Sequence, residues 1–274
     1  EMCIRDRVEA FEYQDGSEGK IDIGQSFETT YEMFQGKDPR FLASIYVPGS
    51  SLLGSTMQFQ RGLILKDGSK YYAQSAPGPS YLLETYIDPE TQRKDTIFGK
   101  DGGTYTGDAS KTGFNIRKFV NENLKTEAQW DFGKTETSFP IFRLAEVYLN
   151  LAEAAVEMGK YQTEAFEAIK KIRDRAGVVT PFAVVDVEKV RHERQVELAF
   201  EGHRFWDMKR WRIAHLPVDQ GGLNGFRGAG LHPFFDLRIR KYVFEVANDL
   251  PKRQRVFTEK NYYTKFSGND MNSN

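Results

Sequence analysis

The residues of this chain that invite a chemical reading lie between His192 and Trp211. Glu197 and Glu201 stand one helical turn apart, with Arg194 and Arg204 on either side. Two carboxylates at that spacing match the inventory of a glycosidase, which needs one protonated acid and one free base or nucleophile. Two flanking guanidinium groups would hold both carboxylates ionised, which is wrong for a general acid. The neighbouring His192-Glu193 begins a zinc-protease helix, but Val196 occupies the position of the required second histidine. Neither Gly-x-Gly-x-x-Gly nor a P-loop occurs, and the glycines of 225–230 have the wrong spacing for either. What remains is structural: an ion-pair network of Arg194, Glu197, Glu201, Arg204 and Asp207, with Phe205, Trp206 and Trp211 as its aromatic part.

The element that must carry these groups is a helix. At about 100° per residue, and if the helix runs on through Gly202, Val190, Leu198, Phe205, Met208 and Trp211 share one face. Arg194, Glu197, Glu201 and Arg204 fall on that same face, while His192, Gln195, His203 and Arg210 point to water. Charges inside an apolar stripe must neutralise one another or meet partners on adjacent helices, because unpaired burial costs several kcal/mol. Asp186 is placed to cap this helix. Upstream, Ile141, Leu144, Ala145, Tyr148, Leu149, Ala152, Ala155 and Val156 form one helical face, stopped by Gly159. Thr163 is placed to cap a second helix, with Phe166, Ile169, Ile172 and Ala176 as its stripe and Gly177 at its end. The two make an antiparallel pair of tetratricopeptide size, without the signature residues of that repeat.

Residues 8–135 read differently. Asp15-Gly16, Asp67-Gly68, Pro77-Gly-Pro79 and Asp101-Gly-Gly103 break them into short runs. Phe41–Val47 and Gly62–Lys66 are expected as short strands and Ser26–Phe34 as a short helix. Beyond the helices, 221–230 is a glycine-rich loop and 237–246 alternates like a strand. The expected fold class is therefore mainly α, with tetratricopeptide-like helical repeats, a large loop-rich portion and a few short strands.

Bulk composition narrows the function. The 274 residues hold 38 Lys+Arg against 39 Asp+Glu, a near-balance that argues against a nucleic-acid binder. The one cysteine, Cys3, excludes an intrachain disulfide and zinc clusters built on several cysteines. No apolar run reaches the roughly 18 residues of a membrane span. Twenty-one Phe, 13 Tyr and 3 Trp are either a core of large rings or ring faces offered to a ligand.

Arg194-Gln-Val-Glu-Leu-Ala-Phe-Glu-Gly-His-Arg-Phe-Trp-Asp-Met-Lys-Arg-Trp211 closely resembles the signature of the SusD/RagB family of Bacteroidota. Further blocks agree in order: Val8–Gly16, Lys37-Asp-Pro-Arg-Phe41, Lys111-Thr-Gly-Phe114 with Arg117-Lys118, Arg143–Ala154, and Ile172-Arg-Asp-Arg-Ala-Gly177. The resemblance implies a helical, tetratricopeptide-like protein, without enzymatic activity or cofactor. It would bind a polysaccharide, oligosaccharide or peptide on the outer membrane and hand it to a SusC-like TonB-dependent transporter. Family members are about twice this length, so the chain is expected to be the C-terminal part of one such domain. On that reading the lipid anchor belongs to an absent N-terminal half, and residues 1–7 are a foreign join. Residues 8–135 would then face the ligand, 139–213 form the scaffold, and 214–274 supply C-terminal loops and a strand. Tyr46, Tyr71, Tyr72, Tyr81 and Trp130 are the ligand-contact candidates, chosen by residue type and loop position rather than by any motif. The competing readings are a helical-repeat scaffold for protein partners and, third, a glycoside hydrolase.

Overall fold

The structure is a computed structural model, and it describes residues 8–72, 85–101, 110–124, 137–225, 229–247 and 254–263, the side chains of Tyr72 and Asp219 excepted. Tyr81 and Trp130 lie outside the described residues.

Five helices position the charged segment: α1 (Pro39–Ser44), α2 (Leu144–Glu157), α3 (Gln162–Ala176), α4 (Val187–Glu197) and α5 (His203–Arg210). Helix α1 starts where Asp38 accepts the Arg40 amide and Pro39 supplies a preset first residue. The expected strand at 41–47 is thus mostly helix, shortened to Ile45–Tyr46, which pairs with Asn115–Ile116. Helices α2 and α3 form the expected pair, and Leu149, Ala152, Ala155, Ala165, Ala168 and Ile169 close their seam with α4. The alanines allow the close approach. Gly177 ends α3 in the left-handed region at φ +74°, as its position suggested, whereas the residue preceding α3 is Tyr161 and Thr163 lies inside the helix. Asp186 caps α4 by accepting the Lys189 amide at 2.8 Å.

The charged segment itself is not one helix. Helix α4 ends at Glu197, Phe200 and Gly202 both take positive φ, and α5 begins at His203. A break of five residues resets the phase of everything after it, so a continuous wheel misplaces the second half. Val190, Leu198 and Met208 are buried as expected, but Phe205 is exposed.

Five of the described strands form a sheet of order β1-β5-β4-β2-β3, with β1 Ser26–Phe27, β2 Gly62–Ile64, β3 Lys70–Tyr72, β4 Gly230–Asp236 and β5 Lys241–Ala247. The Asp67-Gly68 turn joins β2 to β3 in an antiparallel hairpin, and β4 runs parallel to β2. Two sequence expectations change here. Ser26–Phe34 divides into strand β1 and a 3-10 turn at Glu32–Phe34, and the strand at 237–246 is β5 of a hairpin whose first arm begins at Gly230. β4 is buried along nearly its whole length, so its apolar run lacks the alternation by which strands are recognised.

The phenylalanines build the core that ties sheet to helices. Phe34 lies 5.8 Å from each of Phe41, Phe114 and Phe244, and Phe11 lies 5.5 Å from Phe41. The loop carrying Phe114 reaches β4 because residue 113 is glycine: a Cβ there would sit 2.1 Å from the Leu231 carbonyl oxygen.

Lys37 is buried beside this core, donating to the carbonyls of Phe11 at 3.0 Å and of Gly19, with its ammonium 4.7 Å from the Tyr13 ring centroid. Burial pulls its pKa down to about 8. The folded chain therefore releases this proton before the unfolded chain does, so stability should rise with pH from about pH 8 to about pH 10.5. Urea midpoints across that window test this, and Lys37→Met should flatten the rise.

Among the described residues, no helix is long and apolar enough to cross a membrane, and no cluster of three or more His, Cys, Asp or Glu could hold a metal ion.

Candidate functional site

Glu193, Glu197 and Glu201 recur every four residues on α4 and the turn after it, and all three are buried. Their partners come from four other segments of the chain. Arg40, in the first turn of α1, reaches Glu193 at 2.6 Å and Glu197 at 2.9 Å, and its other edge is closed by Asp38 at 2.7 Å. Arg143, just before α2, bonds Glu197 and spans Glu201 at 2.7 and 2.8 Å. Lys118 also bonds Glu201, and donates to the Ala199 carbonyl at 2.9 Å. From α3, Arg175 bridges both Glu197 oxygens at 2.7 and 2.8 Å, and the buried Arg173 joins Glu193 at 2.9 Å to Glu12. Five acids (Glu12, Asp38, Glu193, Glu197, Glu201) thus meet five bases (Arg40, Lys118, Arg143, Arg173, Arg175).

Burial by itself would raise the pKa values of Glu197 and Glu201, but the hydrogen bonds from Arg143, with Arg40 and Lys118 respectively, hold both below the ordinary carboxylate range. Burial acts the other way on Arg143, and its carboxylate partners more than offset it, keeping it charged. A carboxylate held ionised and out of solvent has no proton to give at neutral pH, so this pair lacks the general acid of a glycosidase.

Arg194 pairs within the expected network, though with Asp207 rather than with the two glutamates. Arg194 bonds Asp207 at 2.7 Å and the Asn150 side chain at 2.9 Å, founding a second network between α2, α4 and α5. There Arg210 bridges Asp207 at 3.0 Å and Glu153 at 2.8 Å, and the Trp211 indole donates to Glu153 at 2.7 Å. Arg204 places its guanidinium 5.8 Å from the Trp211 ring centroid, alongside Arg191 at 4.9 Å and Arg210 at 5.0 Å. His192, expected to face water, is half-buried and its Nε2 lies 2.7 Å from the Ala10 carbonyl. Arg210 is about half exposed as well as doubly paired.

The aromatic part of the expected network shrinks to Trp211. Phe205 and Trp206 stack edge-on at 5.4 Å on the outer side of α5, where Trp206 is 65% exposed. The break at Gly202 turns Phe205 outward, whereas Trp206 lies off the apolar face even on a continuous wheel. Trp206→Ala should accordingly change the stability of this chain by less than about 1 kcal/mol in denaturant titrations, against about 3–5 kcal/mol for a buried tryptophan.

Beside Trp206, a cleft of about 500 Å³ opens among His203, Lys209, Arg210, Arg212 and Tyr262. Sequence reasoning did not find it, because Tyr262 is some fifty residues beyond α5 and no spacing links them.

Of the ligand-contact candidates, Tyr46 is buried. Its hydroxyl donates to Glu122 at 2.7 Å and Arg117 lies over its ring, so neither ring face nor hydroxyl is free for a ligand. The cause is tertiary: the pairing of Tyr46 with Asn115 turns its ring in against Met57 and Phe59. Tyr71 is half exposed on β3, its ring 6.5 Å from that of Tyr86. Tyr72 belongs to the same strand, and Tyr81 and Trp130 fall outside the described residues.

A protein-family model described as the SusD family matches residues 2–274. Among curated proteins, SusD-like protein P2 of Formosa agariphila is 31% identical over 101 residues, 33% of this chain and 20% of that protein. SusD-like protein P25 of the same organism is 39% identical over 80 residues, 27% of this chain and 15% of that protein. Among solved structures, a SusD-like protein from Bacteroides fragilis superposes with a TM-score of 0.58 at 26% identity, covering 95% of this chain and 42% of its own. A second from that organism, described as a SusD-like carbohydrate binding protein, gives 0.50 at 26% identity, over 77% of this chain and 35% of its own. The chain thus spans less than half the length of the relatives it matches.

Proposed function

The chain belongs to the SusD family, and from that premise we propose that it is part of a non-enzymatic protein that captures a carbohydrate at the outer-membrane surface and passes it to a TonB-dependent transporter. The observation that carries this reading is the family match over 2–274, to which the geometry adds a physical reason. The ordered sequence blocks each send at least one charged side chain into the same buried network: Glu12, Asp38 and Arg40, Lys118, Arg143, Arg173 and Arg175, then Glu193 to Glu201. The blocks therefore describe a scaffold. The carbohydrate reading is supported by the relative described as carbohydrate binding. We further propose that the α2–α3 pair is one unit of a tetratricopeptide-like array, and that anchoring to the membrane is through lipid.

Aromatic rings that stack on sugar C–H faces must be accessible, which favours the half-exposed Tyr71 with its neighbour Tyr86 over the buried Tyr46. The test is calorimetric titration of the complete gene product with a panel of polysaccharides and peptides, alongside copurification with a transporter. Binding of an oligosaccharide, weakened by Tyr71→Ala with an unchanged melting temperature, is the expected result. A complete product that binds no member of the panel and copurifies with no transporter would sink the proposal. Measurable glycoside hydrolysis, lost on Glu201→Gln, would replace it with the enzymatic reading.

A further inference from the structure

The cleft beside Trp206 is built from two distant segments. Helix α5 supplies Trp206 and Lys209, and the turn that ends it supplies Arg212, whose backbone is left-handed at φ +58°. The other segment is the 3-10 turn Glu259–Tyr262. Tyr262 is fixed there: its hydroxyl accepts the His215 amide at 3.1 Å and lies 2.8 Å from His215 Nδ1, and its ring meets Phe257 edge-on at 5.2 Å.

The cations of the cleft divide in two. Arg194 and Arg210 are neutralised by Asp207 and Glu153. Lys209 and Arg212 have no ion-pair partner among the described residues, and rings hold them instead. The Lys209 ammonium lies 5.4 Å from the Trp206 ring centroid and 5.6 Å from that of Phe205. The Arg212 guanidinium lies 4.8 Å from the Tyr262 centroid and 5.2 Å from that of Tyr263, and donates to the Tyr263 hydroxyl at 3.2 Å. A cation held by ring faces is positioned without being neutralised, and it keeps most of its N–H donors for another partner. The chain as a whole carries a net charge of -1, so two uncompensated cations in one concavity are a local feature.

Those donors call for an anion, and Trp206 narrows its kind. At 65% exposed, the indole offers a flat apolar face to C–H groups. The cleft's volume of about 500 Å³ falls within the range of small-molecule sites. A bare inorganic anion would use the cations and leave the indole face wet. A neutral sugar would use the face and leave the cations without a partner. A sugar ring that bears a carboxylate or a sulfate uses both.

We propose that this cleft is a subsite for acidic saccharides, in which Arg212 and Lys209 bond a uronate carboxylate or a sulfate ester while the sugar ring lies against Trp206. The proposal rests on the carbohydrate reading and adds to it a preference for charge, carried by residues other than Tyr71 and Tyr86.

Calorimetric titration of the complete gene product tests this with trigalacturonate and a sulfated galactose oligosaccharide, each against its uncharged counterpart, the methyl ester or the desulfated form. In at least one pair the acidic form should bind roughly tenfold or more tightly, and less so as salt is added. Lys209→Gln combined with Arg212→Gln should abolish that preference at an unchanged melting temperature, since neither side chain has a carboxylate to lose. Trp206→Ala should weaken the acidic saccharide. Equal affinities within both pairs would overturn the proposal, as would a preference that survives the double variant. Inorganic sulfate that binds as tightly as the acidic saccharides would overturn the saccharide assignment. Binding to phosphatidylglycerol vesicles in place of the acidic saccharides would do the same, by giving the cleft to a membrane surface. If neutral oligosaccharides bind and no charge preference is seen, this proposal alone fails. If no saccharide binds and no transporter copurifies, the functional reading fails with it.

Discussion

Replacing Glu197 with glutamine is expected to destabilise the protein by about 3–5 kcal/mol at neutral pH, the usual cost of removing one partner from a buried ionic cluster. The glutamine side chain keeps the volume and some hydrogen bonds but drops the charge that Arg40, Arg143 and Arg175 share. Arg175, well exposed, can turn to water. Arg40 and Arg143, fixed by Asp38 and Glu201, cannot follow without breaking their other bonds. Urea titration measures the loss, and its pH dependence identifies the cause. Because Glu197 titrates below the ordinary 4.5 when folded, its contribution is complete above about pH 4.5 and is lost as pH falls through the folded value. Native and variant stabilities should therefore converge on acidification. A difference of under about 1 kcal/mol at neutral pH would mean that water screens the cluster.

Phe34→Ala should cost a similar amount, about 3–5 kcal/mol, for an unrelated reason. Its ring is fully buried and edge-on to Phe114 and Phe244, with Phe41 tilted against it. Removing it opens a cavity where the sheet, α1 and the Phe114 loop meet, and three rigid rings held by separate elements cannot all close in. This loss should be the same from neutral pH down to about pH 5, since no titrating group takes part. If the variant instead loses less than about 1.5 kcal/mol, the rings have repacked and the junction is softer than its geometry indicates.

These two sites divide what can be read from the chain and what cannot. Helix existence was legible at α2, α3 and α4, where a period of 3.6 and the residues Asp186 and Gly177 all speak locally. The short strands were less so: β1 has two residues, and β4 lacks alternation because neighbours cover both of its faces. Phase was lost at Gly202, where one left-handed residue after the positive φ of Phe200 turned Phe205 outward. Among the candidate contacts, nothing in the local pattern around Tyr46 separates it from Tyr71, yet one is buried and the other half exposed.

The sequence by itself determined that Glu197 and Glu201 are ionised structural groups, because a buried carboxylate among arginines has no other stable state, and it determined the family through six blocks in fixed order. It did not determine the partners. Arg194 and Arg204 were the near choices along the helix, whereas the cations on Glu197 and Glu201 are Arg40, Lys118, Arg143 and Arg175 from four separate segments. Only tertiary structure decides that, since a charge is neutralised by whatever lies within about 3 Å of it in space, and chain separation sets no bound on that distance once the helices have packed.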